Sequence, residues 1–216
     1  MPLPNLDLHI RVGDALAGEA FGDTVRITAP AALARVRTRY AQATGARKQT
    51  LARALDREER RLAVAVAERA GATASARRRD LLCALRSRDL FAKRPPISAQ
   101  QQRDLELLRA AASAARKRII ALRAGAPLAF SFPVHFADAG AAGGFDLTVG
   151  NPPWVRLHNI PAAQRESLRT HYRSFRDAAW VAGATGSGAG RGFAAQSDLA
   201  AVFVERSAAL GRPGGV

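Results

Sequence analysis

The stretch FDLTVGNPPWVRL, from Phe145 to Leu157, places two prolines and a tryptophan directly after an alternating apolar segment. Phe145 to Val149 alternates large apolar residues with small or polar ones, which predicts a mostly covered β-strand. Pro152 and Pro153 must end it, because proline cannot donate to a ladder of hydrogen bonds and holds the preceding residue extended. Asn151 is therefore expected to hold its side-chain amide in one direction at a strand's carboxyl end, where open α/β sheets usually bind ligands.

The four residues from Asn151 to Trp154 are chemically suited to bind an amino group attached to a flat ring. Such a group is a poor nucleophile, because its lone pair is delocalised into the ring. The side-chain oxygen of Asn151 and the carbonyl of Pro152 can accept its two N–H bonds and stabilise the positive charge that develops on nitrogen. Trp154 offers a face on which an extruded base can stack, worth about 1–3 kcal/mol. The alternatives are a strand-end cap for Asn151 and ordinary core packing for Trp154.

Composition indicates a soluble protein of the cytoplasm. The chain has 216 residues, of which 48% are hydrophobic, so it can bury a real core. Cys83 is the one cysteine, which excludes an internal disulfide, and no segment has the length and apolarity of a membrane span. The four histidines lack metal-ligand spacing, so no metal site is expected.

The positive charge is concentrated in the middle of the chain. The formal net charge is +15, and residues 30–126 hold 23 basic and 8 acidic residues, whereas the rest of the chain is balanced at 10 and 10. A basic block of this kind is typical of a surface that binds a polyanion such as DNA. The alternative is a general compositional preference for arginine.

Three regions are predicted. Residues 1–29 contain an alternating strand from Leu6 to Val12 and a turn at Gly13 and Asp14. Residues 30–126 are a basic helical insertion, coiled-coil-like, with apolar residues at alternating steps of three and four. Residues 127–216 return to strand and helix and carry the Asn-Pro-Pro-Trp loop.

Several local signals locate the helices. In the insertion, one or two long helices are expected from Leu33 to Val66, a short one at 81–91, and another from a capping box at Ser98 and Gln101 to a stop at Gly125. Beyond it, PLAFSFPVHFAD reads as β-like, Pro161 starts a helix, the glycine-rich run 183–192 reads as a linker, and Ser197 caps a final helix.

Three ordered segments resemble the N6-adenine-specific DNA methyltransferases, in particular the type IIG restriction-modification enzymes and related phage-defence methyltransferases. They are LPNLDLHIRVGDAL at 3–16, GGFDLTVGNPPWVRL at 143–157 and SDLAAVFVERSAALGRPGG at 197–215. The resemblance implies an α/β fold, namely a partial Rossmann-like fold dependent on S-adenosylmethionine, interrupted by the α-helical insertion. It implies methyl transfer to the N6 amino group of adenine in DNA.

The resemblance also assigns roles to individual residues. Asn151, Pro152, Pro153 and Trp154 would form the catalytic motif, with Asn151 and Pro152 on the target amino group and Trp154 stacked on the flipped adenine. Asp14 would contact the adenine of S-adenosylmethionine, although an acidic residue after a strand often only caps a helix.

The sequence departs from the family pattern in two respects. The glycine-rich cofactor loop that the family has upstream of the 3–16 segment is absent, and the strands expected after Val216 are absent too. The resemblance therefore predicts an internal piece of a methyltransferase, with an incomplete cofactor pocket, little activity alone, and the remainder of the enzyme as a possible partner.

Two other functions stay open from the sequence. A protein-glutamine methyltransferase also grips a planar amide with Asn-Pro-Pro-Tyr, but tryptophan in place of tyrosine and the basic insertion argue against it. A non-enzymatic, arginine-rich helical module that binds nucleic acid is the second alternative.

Overall fold

The computed structural model describes residues 9–17, 31–86, 96–156, 159–175 and 198–215. They contain helices α1 (Ala31–Ala41), α2 (Gly45–Arg86), α3 (Ala99–Arg123), α4 (Phe132–His135), α5 (Ala137–Ala141), α6 (Ala162–His171) and α7 (Leu199–Leu210). The chain divides into two compact units. The first comprises the described residues up to Gly13 and from 31 to 138, and the second those at 14–17 and from 139 onward.

The first unit is built on an antiparallel pair of long helices. Small residues bring α2 and α3 close together: a side-chain carbon added at Gly71 would lie 3.1 Å from the Cβ of Ala115. Leu33 of α1 and Val134 of α4 pack into the same apolar cluster as Leu62 of α2. The long helices predicted for the insertion are confirmed, but the separate short helix predicted at 81–91 is wrong for its described part, because α2 runs unbroken to Arg86.

The capping signals in the insertion are confirmed as well. The N–H of Gln101 donates to Ser98 Oγ at 3.2 Å, and the N–H of Ser98 donates to Gln101 Oε1 at 2.8 Å, so both halves of the capping box form at the start of α3. Gly125, with φ +89°, follows the end of α3 in the left-handed conformation that glycine adopts without strain.

A buried carboxylate ties the parts of this unit together. Glu59 is 4% exposed and forms ion pairs with Arg11 at 2.7 Å and Arg37 at 3.3 Å. Arg37 also donates to the carbonyl oxygens of Val134 and His135, at 3.1 and 2.8 Å, and pairs with Asp138. One buried carboxylate thus pairs with two guanidinium groups, which compensates its charge, while the Nε atoms of both arginines are buried without a hydrogen-bond partner.

The predicted α/β Rossmann-like fold is wrong for the described residues, which are 69% helical and 3% strand and contain no sheet. Of the segment Phe145–Val149, only Phe145 pairs, in an isolated parallel bridge with Gly211. Leu147 is 60% and Val149 84% exposed. A strand takes its hydrogen bonds from neighbouring strands, so an alternating pattern without neighbours stays extended but does not become sheet.

Other expectations need correction. The β-like stretch at 127–138 folds instead into α4 and the start of α5, because Pro133 suits the first turn of a helix and outweighs the aromatic residues' strand preference. Residues 9–12, the described part of the predicted first strand, form no strand.

The final helix is capped by Asp198, whose Oδ1 accepts from the N–H of Ala201 at 3.3 Å. Ser197, the 183–192 run and residues 87–95 lie outside the described residues.

The second unit has its own apolar core beneath α6 and α7. Leu168, Tyr172 and Phe175 are all buried in it, together with Ile160, Val202 and further residues. This core supports the loop described next.

Candidate active site

The first anchor of the Asn-Pro-Pro-Trp loop lies at the carboxyl end of α7. The N–H of Phe145 donates to the carbonyl of Leu210 at 2.9 Å, and the N–H of Arg212 donates back to the carbonyl of Phe145 at 3.0 Å. Gly144 makes this approach possible. Its φ is +131°, and a side-chain carbon there would lie 2.6 Å from backbone atoms of the Leu210–Arg212 turn.

The second anchor lies at the amino end of the same helix. The N–H of Leu199 donates to the carbonyl of Val155 at 3.0 Å, and Arg156 pairs with Asp198 in an antiparallel bridge. Val155 itself packs against the apolar core. Twelve residues of α7 therefore separate the two anchors, about 18 Å at 1.5 Å per residue.

Between the anchors, the functional side chains face solvent. Trp154 is 82% exposed and belongs to no core of the described residues, so the core-packing alternative for it is not observed. Asn151 is also exposed, and Pro152 is half-buried. The N–H of Val155 donates to the carbonyl of Pro153 at 3.0 Å, closing a three-residue turn with Trp154 at its centre. The turn fixes the backbone beside the indole.

Asp14 lies in a tight turn of the second unit. Its Oδ1 accepts from the N–H of Leu16 at 2.9 Å, the Asx-turn geometry that favours aspartate here. Residues 9–17 contain a turn and no helix start, so the helix cap considered as the alternative for Asp14 is not observed there. The carboxylate is exposed and keeps further lone pairs, so the turn leaves it able to accept hydrogen bonds from a ligand.

Two side chains that the sequence interpretation missed hold this turn. The hydroxyl of Tyr172 donates to the carbonyl of Leu16 at 2.8 Å. Arg206 is 5% exposed and donates through Nε to the carbonyl of Ala15 at 3.0 Å and through Nη2 to that of Ala17 at 3.2 Å. Three consecutive carbonyls are thereby bound by side chains more than 150 positions away.

A signal for Arg206 was present in the sequence. It lies on the same face of α7 as Leu199, Val202 and Leu210, at steps of three and four residues, and all four are buried. An arginine within an apolar stripe must find acceptors, because a buried charge without hydrogen bonds is costly. Its partners could not have been named, since they lie at the other end of the chain.

Two pKa shifts follow from this packing. Burial raises the pKa of Tyr172, which keeps its hydroxyl protonated and able to donate to Leu16. For Glu205, burial acts to raise the pKa, but the N–H groups of Ser174 and Arg173, each 2.8 Å from the carboxylate, outweigh burial and hold the pKa below its usual range.

The second unit brings the two candidate elements onto one core. Leu16, two residues after Asp14, is buried in the cluster against which Val155, next to Trp154, also packs. Within the ranges that the structure describes, no three His, Cys, Asp or Glu side chains are grouped as they would need to be to hold a metal ion.

The sequence of residues 71–216 matches the family model described as Eco57I restriction-modification methylase. The chain belongs to the Eco57I restriction-modification methylase family. The match covers the whole loop from Phe145 to Arg156 and all of α7. No curated protein and no solved structure matches the chain.

Membership gives the loop a chemical context. A restriction-modification methylase transfers methyl groups to DNA and requires a methyl donor. None of this methylase's described helices combines the length and the apolar character that crossing a bilayer requires.

Proposed function

We propose that this methylase carries the catalytic loop for transfer of a methyl group from S-adenosylmethionine to the N6 amino group of adenine in DNA. One observation supports the proposal above the others: the Asn151-Pro-Pro-Trp154 loop is anchored by main-chain bonds at both ends of α7 while Asn151 and Trp154 face solvent. A pocket-forming loop needs this combination of fixed ends and free side chains. In this proposal residues 30–126 are an insertion in the enzyme, and 127–216 carry its catalytic part.

Asn151 and Pro152 hold the reacting nitrogen. The Asn151 side-chain oxygen and the Pro152 carbonyl accept the two N–H bonds of the adenine amino group, which localises its lone pair and stabilises the charge that grows on nitrogen. Pro152 and Pro153 restrict the backbone in advance, so little reorganisation is needed. S-adenosylmethionine, contacted through its adenine by Asp14, would supply a methyl group bonded to a positively charged sulfur. The new N–C bond would form as the C–S bond breaks, with its electron pair remaining on the departing thioether and one proton of the amino group released to solvent.

Trp154 and Asp14 bind the two flat rings. Trp154 stacks on the extruded adenine and replaces part of the stacking lost from the duplex. Asp14 fits an adenine of the cofactor, because its exposed carboxylate retains acceptor capacity after the bond from Leu16 and can take an amino N–H. Tyr172 and Arg206 keep the Asp14 turn in place.

The proposal is tested by base preference and by methylation together. Fluorescent duplexes that contain one unpaired adenine, cytosine or thymine are compared with the fully paired duplex for binding to the 216-residue chain. An unpaired base has already lost its pairing, so an adenine-selective pocket binds the unpaired-adenine duplex several-fold more tightly than the others. Radiolabelled S-adenosylmethionine then reports methyl incorporation, with digestion of the product to identify N6-methyladenine.

Matched variants connect the outcome to the loop. Trp154→Ala should remove the adenine preference, and Asn151→Ala should remove whatever methyl incorporation the wild-type chain shows. Gly150→Ala, at a position open enough for a side-chain carbon, should match the wild-type chain on both measures. Absence of any preference among the unpaired bases counts against the proposal. Labelling of a glutamine peptide offered in parallel, with DNA unlabelled, would favour a protein-glutamine methyltransferase instead.

A further inference from the structure

One side of the α2–α3 hairpin carries a row of arginines on each helix, which we term the arginine face. Its members are Arg57, Arg61, Arg79 and Arg86 of α2 with Arg109, Arg116 and Arg123 of α3. Along α2 they recur at steps of 4, 18 and 7 residues, and along α3 at steps of 7. Steps of 7 and 18 are close to whole numbers of turns at 3.6 residues per turn, so each set lies along one side of its helix.

An ion pair shows that the two rows lie side by side. Arg123 Nη2 is 2.7 Å from Glu68 Oε1. Glu68 follows Arg61 by seven residues and precedes Arg86 by eighteen, so it belongs to the α2 row. The rows of α2 and α3 are therefore neighbours on one surface of the first unit.

The positive charge of this surface is mostly uncompensated. All seven arginines are exposed, and among the described residues only Arg61 and Arg123 have carboxylate partners, Glu58 and Glu68. α2 contains eleven basic and five acidic residues, and α3 six and two. The acidic residues of α2 are largely occupied, since Glu59 is buried with two arginines and Asp56 pairs with Arg60.

Such a surface is costly unless an anion covers it. Like charges four residues apart, as in Arg57 and Arg61, destabilise a helix by a few tenths of a kcal/mol per pair. The α2 row extends from Arg57 to Arg86, about 44 Å at 1.5 Å per residue. A straight, rigid row of that length matches a linear polyanion better than a compact ligand.

The face is suited to phosphates and not to bases. Neither α2 nor α3 contains an aromatic residue or histidine. Proteins that hold single-stranded nucleic acid stack bases on aromatic side chains, which this face lacks. We infer that the arginine face binds the phosphate backbone of duplex DNA without reading its sequence. The choice of DNA as the polyanion rests on the proposed function; the existence of an anion surface does not.

A charge-matched pair of variants tests this. The face variant is Arg57→Gln, Arg79→Gln, Arg109→Gln and Arg116→Gln combined. The control variant is Arg69→Gln, Arg77→Gln, Arg103→Gln and Arg118→Gln, which removes the same charge at four exposed positions lying about a quarter turn or more from the rows. Both are made in the full 216-residue chain, and circular dichroism and thermal unfolding confirm that each keeps its helices.

Binding of a fluorescent duplex of about 20 base pairs is followed by anisotropy as salt rises from about 50 to 300 mM. The face variant is expected to lose about tenfold or more in affinity near 100 mM salt, and the slope of log K against log salt should fall by about three to four. The control variant should lose much less on both measures. Asn151→Ala should leave the slope unchanged, which separates this inference from the methylation proposal.

Three results would overturn the inference. They are an equal loss in the two charge-matched variants, which would mean diffuse attraction by net charge; wild-type binding that does not depend on salt; and tighter binding of single-stranded DNA or duplex RNA than of duplex DNA.

Discussion

Gly144 is the residue on which the first loop anchor depends. Its φ of +131° is strained for any residue with a side chain, and an added carbon would meet three backbone atoms at 2.6 Å, which cannot rotate away. We expect Gly144→Ala to destabilise the second unit by about 3 kcal/mol. Urea unfolding measures this. Gly150→Ala, where nothing lies within 4 Å, is the control and should differ little from wild type; equal stability of the two variants would mean that the anchor is not rigid.

Glu59 and Glu58 are adjacent carboxylates with opposite expected consequences. Glu59 is buried between Arg11 and Arg37, whereas Glu58 pairs with Arg61, whose side chain is 74% exposed. Removing Glu59 leaves guanidinium groups with little access to water, so Glu59→Ala should cost about 3 kcal/mol, and Glu58→Ala less than about 1 kcal/mol. Chemical denaturation of the two variants gives the comparison, and a smaller loss for Glu59→Ala than for Glu58→Ala would contradict it.

At the scale of elements, helices could be predicted from the sequence and the strand could not. A helix forms its backbone hydrogen bonds within its own segment. The spacing of the apolar residues in α3 and the capping box at Ser98 were therefore sufficient to predict this helix from the sequence. The segment from Phe145 to Val149 has the composition of a strand, but pairing depends on other segments, and Phe145 alone is bridged. Local pattern therefore identifies where an extended segment runs without determining whether a sheet forms around it.

In the candidate site, too, local features could be predicted from the sequence and contacts between distant segments could not. The Asn151–Trp154 motif is contiguous, so its chemistry could be proposed from sequence. The anchoring of the Asp14 turn by Tyr172 and Arg206 joins residues more than 150 positions apart, and no local pattern specifies such pairs.

The Tyr172 anchor gives an element-scale prediction. Tyr172→Phe removes the donor to the Leu16 carbonyl and should lower the free energy of unfolding by about 1–2 kcal/mol at pH 8. The raised pKa of Tyr172 adds a pH signature: its contribution is complete below about pH 10, the unfolded value, and is lost as pH rises through the higher folded value. Wild type should therefore lose stability above pH 10 more steeply than Tyr172→Phe, as measured by denaturation at several pH values. Parallel alkaline curves for the two proteins would contradict the assignment.

For the whole molecule, charge is the dominant property. The chain has a net charge of +15 on 216 residues, so its basic side chains repel one another on average. At 0.1 M salt this repulsion is largely screened beyond about 10 Å. We expect the midpoint of thermal unfolding to rise by a few degrees between about 20 and 200 mM NaCl. Arg57→Gln, Arg79→Gln, Arg109→Gln and Arg116→Gln combined should show a smaller rise, since four charges are gone. An unchanged midpoint would indicate that self-repulsion does not limit stability.

The double anchoring of the loop on α7 has an evolutionary consequence. The bonds at Leu210, Arg212 and Leu199 are made by main-chain atoms, so most side chains of α7 can be exchanged without disturbing them. The number of residues in α7, in contrast, cannot change without disturbing these bonds. Deleting one residue would shorten the helix by about 1.5 Å and turn one anchor by about 100° relative to the other. Relatives that keep a working loop should therefore vary in the composition of this helix while tolerating no insertions or deletions within it.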